Sequence, residues 1–88
     1  MKISLHIPKS NSLKHKRMIL NSFKSRMRND FNISLSEVDH QDLWQRSDIA
    51  ICFVRSEKKH IQQTEDALLK FVDRFNGVEL IEKETEIL

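Results

Sequence analysis

The sequence predicts an α+β domain in which a four-stranded antiparallel sheet carries two helices on one face. Three observations lead there. Apolar residues alternate with polar ones over residues 2–7, then recur every three to four positions over 13–30 and again over 58–75. The run Ile49–Val54 is apolar on both faces, as expected of a central strand covered twice. With 88 residues, one Gly and one Pro, the chain has room for one domain, residues 1–88, joined by short connections.

Ile3, Leu5 and Ile7 alternate with Lys2, Ser4 and His6, a strand with one buried face that Pro8 ends. Ser12 is placed to cap a helix beginning at Leu13 and running to about residue 30, with Leu20, Phe23 and Met27 on its inner stripe and Ile19 widening it. Lys16 falls inside that stripe; its stem is expected to lie on apolar surface with the ammonium in water. Next, Ile33, Leu35, Glu37 and Asp39 share one strand face and Ser34, Ser36 and Val38 the other. The apolar phase switches between Leu35 and Val38, which calls for a bulge or for a strand that outruns the core. A loop over 40–47 follows, in which Asp42 is placed to cap a short helical turn through Leu43–Arg46. After the apolar third strand, Ile61, Leu68, Val72 and Phe75 mark a second helix over roughly 58–75, stopped by Asn76-Gly77. Val78–Ile81 reads as the last strand, with a fraying acidic continuation from Glu82 to Glu86.

The order β-α-β-β-α-β folds as two right-handed β-α-β halves, the ferredoxin-like arrangement. Its first and third strands are central and its outer sheet face is open. The fourth strand flanks the first, so Glu79 and Glu82 should come near Lys2 and His6.

One cysteine, Cys52, excludes an intramolecular disulfide and suits a reducing, cytoplasmic compartment; mid-strand, it is expected to be buried and inert. The N-terminus lacks the apolar run of a signal peptide, and no segment is long enough for a membrane span. Net charge is +2 but uneven: residues 1–31 carry eight Lys/Arg against one acid, and residues 32–88 carry seven against twelve. Either one face meets an acidic partner, or basic and acidic elements neighbour each other in the fold.

The densest polar stretch is Glu37–Arg46, EVDHQDLWQR, with three acids, a histidine, an arginine and the only tryptophan. Asp39, His40 and Asp42, with Glu37, offer metal-ligand atoms, but neighbours on a strand point apart and no second His or Cys stands at ligand spacing, so no metal is expected. A Glu37–Asp39 carboxylate pair with His40 as base is a hydrolase-like alternative. However, no activated nucleophile or phosphate-cradling Gly loop accompanies it, so no catalytic residue, cofactor or enzymatic activity is expected. Lys14, Arg17, Asn21, Lys24 and Arg28 form one row along the first helix, either a solvated face or an anion-binding one. Base-stacking aromatics are missing from the first strand, so the nucleic-acid reading is contact with RNA backbone through Lys14, Arg17, Lys24 and Arg28, with Trp44 and Arg46 as stacking groups. Otherwise Trp44 pins its loop to the core and Arg46 pairs with Glu37 or Asp39. The doubly apolar third strand supports a homodimer or larger homo-oligomer through the open sheet face.

On SLKHKR at Ser12–Arg17, FNISLSEVDHQDLWQR at Phe31–Arg46, and the element order, the chain resembles the YlxP-like family of small bacterial proteins over nearly its whole length. His15 departs from the pattern, where an acid would complete a capping box with Ser12. The resemblance implies a ferredoxin-like fold, no assigned reaction, and genes often found among translation and ribosome-maturation genes, hence an RNA or ribosome partner by association.

Overall fold

The computed structural model describes residues 1–88. The elements are β1 (Lys2–His6), α1 (Leu13–Asp30), β2 (Ser34–Asp39), β3 (Arg46–Cys52), α2 (Lys58–Arg74) and β4 (Glu79–Glu84). They build one antiparallel sheet of order β2-β3-β1-β4. This is the ferredoxin-like sandwich, with β3 and β1 central.

Ser12 caps α1: its Oγ accepts the backbone N–H of His15 at 3.0 Å. Because residue 15 is His, no acid stands in the first turn to complete the reciprocal arm of a capping box. Beyond α2, Gly77 takes φ +112°, a conformation that strains any residue with a Cβ, and the chain turns there into β4. The core lies between sheet and helices. Ile3, Leu5, Ile49 and Ile51 from the two central strands, with Ile7 just past β1, meet Leu20, Phe23 and Met27 of α1 and Leu68 and Val72 of α2, all buried. Phe23 packs edge-on against Phe75 and Phe71 at centroid distances of 5.1 and 5.6 Å, locking the two helices together. Such pairs contribute about 1 kcal/mol each beyond the burial of their area.

Three expectations change. β3 begins at Arg46 and ends at Cys52, so Phe53 and Val54 lie past it. Its register sets Arg46, Asp48 and Ala50 opposite His6, Ser4 and Lys2, all on the face away from the helices. The alternate residues Ile49 and Ile51 enter the core, so the outward face of the sheet centre is polar rather than apolar. Cys52, at the end of the strand, is exposed rather than buried. The phase switch in β2 is a bulge: Glu37 pairs with Ile49 and Asp39 with Asp48, leaving Val38 as the extra residue.

β4 runs further than expected, through Glu84, although every one of its residues is exposed. Polar contacts hold it. His6 meets Glu79 at 3.3 Å as anticipated, but Lys2 meets Glu84 at 3.9 Å rather than Glu82, which lies opposite Ser4. Glu65 of α2, only 5% exposed, accepts hydrogen bonds from Lys83 Nζ and, at 3.0 Å, from Thr85 Oγ1. The Lys83 bond holds the Glu65 carboxyl below its ordinary value of 4.5, with Thr85 assisting and burial opposing. No helix is long and apolar enough to cross a membrane.

A carboxyl whose pKa is lowered by folding stabilises the native state above its unfolded value, and that contribution fades as pH falls through the folded value. Glu65→Gln should therefore destabilise the protein by about 1 kcal/mol at pH 7. The gap from the parent protein should close as pH is lowered below 4.5 in urea-unfolding series.

Candidate functional site

The stretch from Glu37 to Arg46 is built around a buried ionic clasp. Lys16 lies on the core-facing stripe of α1, and Glu37 falls on the helix-facing side of β2 because it stays in phase with Leu35. Lys16 Nζ sits 2.9 Å from Glu37 Oε2 and donates to the His40 carbonyl oxygen at 2.6 Å. Ser47 Oγ donates to the same Glu37 oxygen at 2.7 Å. Lys16 is 1% exposed, so its ammonium is not in water as expected. The reason is that carboxylate, hydroxyl and carbonyl converge on it and replace its hydration. The signal was present: Lys16 and Glu37 are each the polar intruder in an apolar phase, and two such intruders on facing elements call for pairing.

A second fastening comes from Gln45. Its Nε2 donates to the carbonyls of Pro8 at 3.2 Å and Ser10 at 3.1 Å, and its own carbonyl accepts the Ile7 N–H at 2.9 Å. The β2–β3 loop is thereby tied to the β1–α1 connection. Gln45, not Trp44, anchors the loop. Trp44 is 54% exposed, and Leu43 and Val38 are exposed with it. The helical turn expected at Leu43–Arg46 does not form; the loop turns at His40, whose carbonyl accepts the Leu43 N–H. With no turn to cap, Asp42 makes no capping bond; Asp39 Oδ1 instead accepts the neighbouring His40 N–H at 2.8 Å. Arg46 pairs with neither Glu37 nor Asp39: it points to the outward sheet face opposite His6, and its Nε is buried without an acceptor.

The basic row forms as drawn. Lys14, Arg17 and Arg28 are exposed and Lys24 is half-buried. None has a carboxylate oxygen within 4.0 Å, the distance at which the ion pairs elsewhere in the chain are found. Arg28 Nη2 donates to the Leu35 carbonyl at 3.0 Å, so the row overlooks edge strand β2. On the opposite flank of α1, Arg26 stacks over Phe75 at 5.4 Å. With Lys70 and Arg74 it rims a depression of about 390 Å³ whose floor includes Phe31 and Phe71. The sequence reading missed this second cationic group, although Lys70 and Arg74 stand four apart on one face of α2. Trp44 belongs to the loop that Lys16 holds against the first turns of α1, near the start of the row. Arg46 lies on the other side of the sheet from it.

Fold and surface together define a small ferredoxin-like α+β domain with a cationic helix layer and a polar outer sheet. Over residues 1–85 the sequence matches the family described as "Protein of unknown function (DUF503)". It is 37% identical over 75 residues to the uncharacterized protein YlxP of Bacillus subtilis strain 168, a match spanning 85% of this chain and 82% of that one. The chain belongs to the DUF503 family.

Removing one member of a buried pair leaves the other charge unsolvated. Lys16→Met should cost about 3 kcal/mol by chemical denaturation, and adding Glu37→Gln should recover at least about 1 kcal/mol of it. A double variant that costs as much as Lys16→Met and Glu37→Gln added together would show that the pair is not coupled.

Proposed function

We propose that this protein is a non-enzymatic cytoplasmic accessory module that contacts the phosphate backbone of RNA, free or in the ribosome, through α1. The observation that carries this reading is the row Lys14, Arg17, Lys24 and Arg28, with no carboxylate partner in a chain that holds thirteen acidic residues. The two explanations of the uneven charge act on different residues. Self-complementarity accounts for Lys2, His6 and Lys16, which meet Glu84, Glu79 and Glu37. It leaves the row on α1 over, and cations spaced three to four apart on a helix repel unless an anion relieves them.

Phosphate contact of this kind positions a nucleic acid without reading its bases. Trp44, exposed in the loop that Gln45 ties to the β1–α1 connection, offers a face on which an unpaired base can stack. Arg46, turned to the outer sheet face, is left out of this surface. Self-association across the outer sheet face has less support, because Arg46 and Asp48 of β3 stand there beside Ser4, where an apolar third strand was expected.

Sucrose-gradient sedimentation with ribosomal subunits and total RNA tests the reading. Four phosphate contacts on single-stranded RNA predict an affinity loss of about 50-fold between 50 and 200 mM salt. The variant Lys14→Glu/Arg17→Glu/Lys24→Glu, with the circular dichroism of the parent, should remain at the top of the gradient. Co-migration that persists in that variant, or its absence from the parent protein at low salt, excludes the proposal.

A further inference from the structure

We propose that Asp39, His40 and Asp48 form a binding site for one divalent first-row metal ion of the Zn2+ type, on the sheet face opposite the basic helix. One oxygen or nitrogen from each lies within 4.8 Å of the others. His40 Nε2 stands 3.7 Å from Asp48 Oδ2 and 3.9 Å from Asp39 Oδ2.

Sequence spacing argued against this, because neighbours on a strand diverge. Two backbone features cancel that objection. The bulge at Val38 brings Asp39 opposite Asp48, onto the outward face. β2 ends there, and His40 takes φ +61°, a left-handed conformation uncommon outside Gly, so its ring follows Asp39 rather than opposing it. Asp48 enters from the central strand β3, across the loop that follows His40, where no local pattern reveals it.

Asp48 supplies the independent observation. It is 5% exposed, and its Oδ1 is buried without a hydrogen-bond donor. An unpartnered buried carboxylate oxygen is rare and costly. Arg46, the nearest cation along the strand on that face, has no carboxylate oxygen within 4.0 Å and does not neutralise it. A protonated His40 does not resolve the deficit either: its Nε2 faces Oδ2, at a distance beyond hydrogen bonding, and leaves Oδ1 as it was. With neutral imidazole the trio carries two negative charges, which one divalent ion balances.

The donor set selects the ion. One imidazole nitrogen and two carboxylate oxygens suit Zn2+ and its neighbours; Ca2+ and Mg2+ favour oxygen alone. Tetrahedral Zn2+ with bonds of about 2.1 Å sets its ligand atoms about 3.4 Å apart; the His40 separations of 3.7 and 3.9 Å lie close to that, and the two carboxylates, within 4.8 Å of each other, close onto the ion by side-chain rotation. Three protein ligands leave a fourth position for water. His40 is held in place through its backbone: its N–H donates to Asp39 Oδ1 within the trio, and its carbonyl accepts from Lys16 outside it.

The test is calorimetric titration of Zn2+ into the untagged, chelator-treated full chain, with thermal melting in parallel. One ion per chain and a raised melting temperature are expected. His40→Ala and Asp48→Asn should each weaken binding at least about tenfold and abolish the thermal shift, whereas His60→Ala on α2 should bind as the parent does. Asp48→Asn keeps the shape of the side chain, and His40→Ala stands independently of it should either variant fail to fold. Absence of a saturable site in the parent, retention of parental affinity by the folded variants, or equal loss in His60→Ala overturns the assignment.

Discussion

The Lys16–Glu37 pair is the constraint on which the loop end of this molecule depends. An ammonium and a carboxylate cannot both be buried unless they meet, so Glu37 must face the helices. That requirement sets the register of β2 against β3, because a slip by one residue would turn Glu37 to the outer face and strand Lys16 in the core. The extra residue at Val38 then breaks the alternation and returns Asp39 to the outer face. Lys16 also takes the carbonyl of His40, the residue at which the chain reverses. One buried side chain on α1 therefore fixes strand register and loop position together. Glu37, Asp39 and His40, three positions within one short motif, end up serving opposite faces of the sheet.

Charge is distributed by the same logic of partners. At the β1–β4 edge, exposed acids and bases pair across strands, and Glu65 reaches from α2 to hold the otherwise solvent-bathed β4. Strand β4 brings little apolar surface, so these contacts decide how far it remains ordered beyond Val78. At the β2 edge Glu37 compensates Lys16 alone, and the outward row on α1 has no carboxylate partner. Both edges of the sheet carry charged neighbours, but only one of them is internally balanced. That asymmetry gives the molecule a directional field despite a net charge of only +2.

Much of the fold was legible in the residues. Alternation in β1, the three-four spacing of Leu20, Phe23 and Met27, and the Asn76-Gly77 stop are local patterns, and each produced the element it indicated. Local patterns also yielded the row on α1, which needs nothing beyond helical spacing. What failed required knowledge of a partner. Lys16 was assigned to water because its acceptors come from Glu37 and His40, more than 20 positions away. Of the two readings of Trp44, a stacking group or a pin for its loop, the pin fails, because Gln45 fastens the loop through two carbonyls that no periodicity reveals. The outer face of β3 was misread because Ile49–Val54 is apolar throughout, whereas the strand itself starts at Arg46 and carries Asp48 outward. A run of apolar residues indicates burial, but only register assigns each residue to a face.

The density of polar groups in EVDHQDLWQR has a physical origin once these contacts are known. A loop that crosses the end of a small sheet must satisfy its own backbone donors and acceptors where little secondary structure is available to do so. Asp39 takes the N–H of His40, Lys16 takes the His40 carbonyl, and Gln45 supplies three bonds to the neighbouring connection. Those duties occupy backbone atoms and leave the imidazole of His40 and the indole of Trp44 free. His40 is fastened by its carbonyl from the helix side, while its ring stands beside Asp48 on the other. The loop is thus a junction between two surfaces of different chemistry, the cationic helix layer and the carboxylate-bearing sheet face. The helix side uses the loop's backbone carbonyl and the sheet side its imidazole, so the two surfaces share no atoms.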